Sequence, residues 1–168
     1  MRKTKKILGG LILVALGLVL AALPQHAASN SLRGTSNAVA PQSGSEEPVP
    51  AYHAQAPAPK DALPGTMDPS IFPQPGVSNA YAVAARVKKI LYQEPCYCHC
   101  DRSQGHGSLL DCFVSKHGSG CNICMGEDFY VYEQSRKGKT AAQIREGIIK
   151  GEWQSVDLSK YATPLPLK

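Results

Sequence analysis

The chain has 168 residues, and its 18 Lys and Arg against 13 Asp and Glu give a net charge of +5. Four basic residues fall within the first six positions, and the later charges alternate in sign without forming a basic stripe with interleaved aromatic residues. This pattern argues against nucleic-acid binding, and the length suits one ordinary domain.

An uncharged apolar run, residues 7–23, follows the basic N-terminus. A positive flank before an apolar segment is the layout of a secretory signal. The run is also at the short limit for crossing a bilayer, and no good Ala-x-Ala site follows it, so a cleaved signal and an uncleaved membrane anchor both stay open. Either way we expect export to a periplasmic or other extracytoplasmic compartment, anchored or secreted, where disulfides are permitted.

Residues 24–76 hold ten of the 13 prolines, together with many Ala, Ser, Gln and Gly. The segment has few charges and almost no periodic apolar positions. Such a composition buries too little apolar surface to offset the entropy of ordering the chain. It predicts a disordered linker that holds the C-terminal domain away from the membrane.

After Ser78, apolar residues recur at three- and four-residue intervals as far as Leu91, and Pro95 prevents continuation. This pattern predicts a helix capped by Ser78. Residues 96–107 read as a loop. A capping-box pattern at 108–111 then predicts a short helix that ends near Val114.

Two further helices are predicted, one from an Asn122 cap to about Lys137 and one from a capping box at Thr140 to Gly151. The sequence thus predicts an all-α, cysteine-rich domain of about four helices over 77–158, followed by a flexible tail at 159–168. A core of this size is marginal without a cross-link or a metal ion.

All six cysteines fall within 29 consecutive residues, and three of the five histidines lie among them. So dense a set of thiols indicates soft-metal binding, thiol–disulfide exchange or a disulfide-bonded core. Three thiols alternate at Cys96, Cys98 and Cys100. Cysteines two residues apart close a strained disulfide ring, whereas they can converge on one metal ion without such strain.

We therefore expect a thiolate site for Cu(I) or Zn, used in metal delivery or sequestration. Its predicted ligands are Cys96, Cys98, Cys100, Cys112, Cys121 and Cys124. His106, flanked by glycines, is the leading additional ligand. His99 and His117 are expected at the surface and Met125 in the core, and all three are weaker ligand candidates.

Two alternatives stay open. Cys121 and Cys124 form a Cys-x-x-Cys pair at a predicted helix N-terminus, where a thiolate is stabilised, so the chain could be a thiol–disulfide oxidoreductase. Three disulfides could instead support a structural interaction module. No pattern indicates a hydrolase or a phosphate-binding loop, so enzymatic activity is expected only in the exchange alternative. The expected partners are a metal donor or acceptor, or a thiol protein, with a membrane contact through residues 7–23 if the run is uncleaved.

The stretch from Pro95 to Cys100 reads PCYCHC, and a Gly-His step, a lone cysteine and the Cys-x-x-Cys pair follow it. Over residues 78–155 the chain resembles the bacterial exported proteins named for a PCYCGC motif, with His99 where the namesake has Gly. That family has no assigned function, and its broader grouping is named as including selenoproteins, which implies a reactive thiol. Members are often lipoproteins, but in this chain no cysteine stands directly after the apolar run, where a lipid would be attached. The segment 138–148 is also similar, more weakly, to helical thiol proteins of cytochrome c maturation.

Overall fold

The computed structural model describes residues 47–166, and this range contains five α-helices, four short 3-10 helices and no strand. The α-helices are α1 Pro75–Leu91, α2 Cys100–Gln104, α3 Asp111–Val114, α4 Asn122–Arg136 and α5 Ala141–Ile149. The 3-10 helices are Pro69–Ile71, Lys116–Gly120, Glu152–Ser155 and Leu158–Tyr161. The all-α prediction is confirmed for this range.

The predicted signal or anchor at residues 7–23 lies outside the described residues, as does the first part of the predicted linker. Over 47–166, none of the helices combines the length and the apolar character that crossing a membrane requires.

The core forms where α1 packs against α4. The predicted apolar stripe of α1 is buried, from Ala80 to Leu91, and Phe129 and Val131 of α4 are buried as well. The helix begins at Pro75 rather than after a Ser78 cap. Proline suits this first position because its fixed φ is already helical and the N–H it lacks would have no partner there.

The ends of α4 and α5 are set by local hydrogen bonds. Thr140 and Gln143 form the predicted capping box, in which the Gln143 N–H donates to Thr140 Oγ1 and the Thr140 N–H donates to Gln143 Oε1. The cap of α4 differs from the prediction. It is Cys121 rather than Asn122, and its sulfur accepts the Cys124 N–H at 3.3 Å.

Residues 47–76, predicted to form part of a disordered linker, are instead ordered and packed against the helical domain. The Met67 N–H donates to the carbonyl of Phe113 at 2.9 Å, and Phe72 stacks on Tyr81 with ring centroids 4.1 Å apart. Composition alone misleads here, because a proline-rich segment has few conformations to lose and can be held by a few well-spaced apolar side chains.

The tail expected to be flexible over 159–168 is also ordered as far as the structure describes it, to residue 166. Tyr161 is buried and stacks on Phe129 with centroids 3.6 Å apart. The Asn79 side-chain amide donates to the carbonyls of Tyr161 and Thr163 and accepts the Leu165 N–H. The buried amide therefore fixes the backbone of this segment against α1.

Candidate metal centre

A sharp turn brings the three alternating cysteines together. The His99 N–H donates to the Cys96 carbonyl at 3.1 Å, and His99 adopts a left-handed conformation with φ 55° and ψ 34°. No other non-glycine residue in the described range has a positive φ. The turn leads into α2 at Cys100, and the sulfurs of Cys96, Cys98 and Cys100 face a common space.

Cys98 lies at the middle of the cluster. Its sulfur is 3.3 Å from the Cys96 sulfur and 3.6 Å from the Cys124 sulfur. The Nε2 atom of His117, in the 3-10 helix between α3 and α4, lies 3.5 Å from the same sulfur. Two segments that are distant in sequence therefore meet at this one atom.

A second set of contacts extends to α2 and α3. The Cys100 and Cys112 sulfurs are 3.4 Å apart, and the Nδ1 atom of His106 lies 3.4 Å from the Cys112 sulfur. Cys96 and Cys124 complete the connection with a sulfur separation of 3.6 Å. The predicted convergence of thiols from both ends of the segment is confirmed.

The cluster contains two groups of four ligands in which all ligand atoms lie within 4.8 Å of one another. One comprises Cys96, Cys98, Cys100 and Cys112, and the other comprises Cys98, His117, Cys121 and Cys124. A tetrahedral ion with metal–sulfur bonds of about 2.3 Å separates its sulfurs by about 3.8 Å, so each group fits such an ion.

Burial distinguishes the cysteines. Cys96, Cys100, Cys112 and Cys124 are at most 3% exposed, whereas Cys98 and Cys121 are partly exposed. All six lie in the described part of the chain, and none of them forms a disulfide. The sulfur separations of 3.3–3.6 Å also exceed a disulfide bond of about 2.0 Å by a wide margin.

The neighbouring thiols redistribute charge within the cluster. Hydrogen bonds from the surrounding thiols, Cys100 first, lower the pKa of Cys98. The Cys100 thiol likewise lowers the pKa of Cys112 to about 4, while the Cys112 sulfur raises the pKa of Cys100. Negative charge is therefore favoured at the central sulfur and at Cys112, and thiolates are the form that binds a metal.

The comparisons with known proteins place the chain in a family. A family model described as "Protein of unknown function with PCYCGC motif" matches residues 35–166. The chain belongs to this PCYCGC family. The match confirms the resemblance inferred from Pro95–Cys100 and extends beyond it on both sides. No curated protein and no solved structure is significantly similar to the chain.

This chain departs from the PCYCGC motif at His99, the residue with a left-handed backbone conformation. His99 occupies the place of the motif glycine, and its positive φ is a conformation that glycine adopts freely and other residues adopt at a cost. Its Nε2 atom lies 3.5 Å from a carboxylate oxygen of Glu47. The turn therefore persists without glycine.

The histidines and the methionine differ in their relation to the cluster. His106 and His117 each contact a cysteine sulfur, and His117, expected at the surface, is partly buried and belongs to a four-ligand group. His99 belongs to neither group, and Met125 packs against the apolar core as expected.

Glu127 is a buried residue beside the cluster that sequence reasoning did not identify. Its Oε1 accepts the Tyr97 N–H at 2.8 Å. Burial raises the pKa of Glu127 to about 8. The signal was present in the sequence, because positions 121, 124 and 127 are three residues apart and share one face of α4. Glu127 thus fixes the backbone of the alternating-cysteine loop.

Residues 47–51 cover one side of the cluster. Pro50 is buried, the Ala51 N–H donates to Asp101 at 3.2 Å, and Glu47 pairs with Arg102 at 2.8 Å. A narrow crevice between this segment and the cluster is lined by Pro50, Ala51, Cys96, Cys100, Asp101, His106 and Ser108. This middle part of the predicted linker therefore restricts solvent access to Cys96 and Cys100.

Proposed function

We propose that this PCYCGC protein is an exported soft-metal-binding protein that holds Cu(I) or Zn in its thiolate cluster and serves in metal delivery or sequestration. The single observation that carries the proposal is the convergence of six cysteine sulfurs and the His117 nitrogen into two overlapping four-ligand groups. Thiolate and imidazole are the ligands that such ions prefer in proteins.

The arrangement favours an ion over disulfide pairing. The Cys98 sulfur contacts two other sulfurs as well as an imidazole nitrogen, whereas a disulfide satisfies only one partner. A metal ion uses several such neighbours at once. Neither four-ligand group includes a carboxylate, which favours soft ions over Mg²⁺ or Ca²⁺.

Localisation and partners follow from the same proposal. The basic flank and apolar run at the N-terminus support export, with the domain either anchored or released. A metal carrier outside the cytoplasm exchanges its ion with a donor or an acceptor, and the partly exposed Cys98, His117 and Cys121 are the ligands that a partner reaches first.

Metal titration of the reduced, full-length protein under anaerobic conditions tests the proposal. We expect the protein to compete with a chromophoric chelator for Zn²⁺ and for Cu(I). Cys98→Ser should weaken the binding of either ion. Met125→Leu is the matched control, because it alters a neighbouring side chain of similar volume outside the ligand groups. If the reduced protein takes up neither ion at micromolar concentration, the proposal is wrong.

Thiol–disulfide exchange remains the second candidate, supported by the position of Cys121 at the N-terminus of α4 with a partly exposed sulfur. The electrostatics oppose it. The hydrogen bond with Cys124 lowers the pKa of Cys121, but the facing Cys98 sulfur and burial outweigh this effect and raise the pKa overall. A Cys121–Cys124 reduction potential in the range of known exchange proteins, with a thiolate pKa below that of free cysteine, would favour this candidate.

A further inference from the structure

We propose that the cluster is a binuclear centre in which the Cys98 thiolate bridges two tetrahedral ions of the Zn²⁺ class. This inference rests on the proposed metal-binding function and specifies the number, the class and the arrangement of the ions. The observation behind it is that Cys98 is the one residue common to both four-ligand groups.

The number of ligands matches this arrangement. Two separate tetrahedral ions need eight ligand positions, and the two groups together contain six cysteines and one histidine. The set is complete when one sulfur binds both ions, because a thiolate has more than one lone pair to donate. A single ion in the all-cysteine group would leave His117, Cys121 and Cys124 without a role in metal binding.

The position of Cys98 suits a bridging sulfur. It lies 3.3 Å from Cys96, which belongs to the all-cysteine group, and 3.6 Å from Cys124, which belongs to the other. His117 approaches it at 3.5 Å on the side of the second group. Because the ligands of both groups surround it, an ion in either group would bind the same sulfur.

The two halves of the centre differ in access to solvent. In the all-cysteine half, every ligand except the shared Cys98 is buried beneath the surrounding helices and residues 47–51. In the other half, His117 and Cys121 are partly exposed, and one ligand is a neutral imidazole instead of a thiolate. The ion held by His117 and Cys121 is therefore the exchangeable one, and the ion of the all-cysteine half is retained.

Cadmium-113 substitution tests the bridge directly, because Cd²⁺ accepts the same ligands and is visible by NMR. We expect native mass spectrometry of the reduced full-length chain to show two Cd²⁺ per molecule. We expect two ¹¹³Cd resonances, with the all-sulfur ion downfield of the ion that has a nitrogen ligand. Each should be split by coupling to the other ion through the shared sulfur.

Variants assign the two resonances. His117→Ala should remove the upfield signal or shift it more than the downfield signal, and Cys112→Ser should have the larger effect on the downfield signal. In both variants the coupling should disappear if one ion is lost. The wild-type spectrum is sufficient for the test even if a variant fails to fold.

The outcomes separate this inference from the function on which it rests. Two uncoupled ions, a single bound ion, or binding of Cu(I) with no divalent ion would overturn the bridged centre and leave metal binding intact. Failure to bind Cd²⁺, Zn²⁺ and Cu(I) would overturn both.

Discussion

Replacing His99 isolates the backbone strain at the place where this chain departs from the PCYCGC motif. His99 has φ 55°, and its side chain contacts Glu47. A direct change to glycine would remove both the strain and the contact. We therefore compare His99→Gly with His99→Ala, because both variants lack the imidazole and only the alanine variant retains the strained backbone.

The expected difference follows from two opposing contributions. A left-handed conformation costs a non-glycine residue roughly 1–2 kcal/mol. Glycine, however, has more conformational freedom to lose on folding, which offsets about 0.4–1 kcal/mol of the gain. Taking the middle of each range, we therefore expect His99→Gly to be more stable than His99→Ala by about 0.8 kcal/mol.

Urea unfolding followed by the fluorescence of Trp153, the one tryptophan of the chain, measures this difference. The matched control is Ala142→Gly, at an exposed position of α5 where φ is helical and glycine should cost roughly 1 kcal/mol. Glycine is thus expected to stabilise at position 99 and to destabilise at position 142. If His99→Ala proves at least as stable as His99→Gly while the control behaves as expected, residue 99 has no strained turn.

Three further predictions address packing, pH and the surroundings of the cluster. Gly147→Ala should destabilise the fold by about 1–2 kcal/mol in urea unfolding, because the new methyl group would collide with the Tyr130 hydroxyl, and an unchanged midpoint would contradict this packing. Burial raises the pKa of Asp128, so the folded chain keeps a proton that the unfolded chain loses above about pH 4. The free energy of unfolding should therefore fall as the pH rises from about 4 towards the folded-state pKa of Asp128, and this group contributes at most about 1.4 kcal/mol per pH unit. Unfolding curves at several pH values should show that Asp128→Asn removes this contribution to the slope. Parallel pH profiles of the variant and the original chain would refute the prediction. Glu127→Ala should weaken Zn²⁺ binding by about 10–100-fold in chelator competition, because the Tyr97 N–H loses its acceptor. Glu127→Gln keeps an acceptor oxygen and should retain most of the affinity. Equal losses in the two variants would argue that Glu127 does not position the loop.

The helices were predictable because their signals are local. The apolar stripe of α1 and the Thr140 capping box depend on residues three or four positions apart, and the structure confirms both. The first residue of α1 was missed because Ser78 has the chemistry of a cap, whereas Pro75 is preorganised for the first turn and the helix begins there. Local signals thus predict that a helix exists better than they predict where it begins.

The ordered segments on either side of the helical domain were not predictable from composition. Tyr161 is held by Asn79, which lies 82 residues earlier, and Met67 is held by the carbonyl of Phe113. These contacts depend on which surfaces the packed helices present. Because composition averages over a segment, it cannot reveal that a few residues within the segment make contacts with the packed helices.

The candidate centre was predictable in its cysteines and less so in its other residues. Close spacing keeps Cys96, Cys98 and Cys100 near one another. The contact between Cys96 and Cys124 joins residues that are 28 positions apart, so it depends on how the helices pack. The role of His117 depends on the 3-10 helix between α3 and α4, which directs the imidazole towards Cys98. The sequence showed only a glycine-rich break at that point, and it favoured His106 over His117 as an additional metal ligand.

Under the proposed function, metal binding and folding would be coupled, because the candidate ligands come from almost every element around the cluster. The loop after α1, α2, α3, the following 3-10 helix and the start of α4 each contribute at least one. Glu127 and Asp128 are fully buried near the middle of α4, so the fold without an ion also bears the cost of enclosing polar groups. An ion that binds the folded chain but not the unfolded chain would add its binding free energy to the stability of the fold. In the proposed binuclear centre, loss of the ion from the His117 half would release the 3-10 helix and the first turn of α4, while the ion of the all-cysteine half would still hold α2 and α3. In the proposed centre, transfer of this ion would therefore need only local loosening of the domain, which fits both proposed roles, delivery and sequestration.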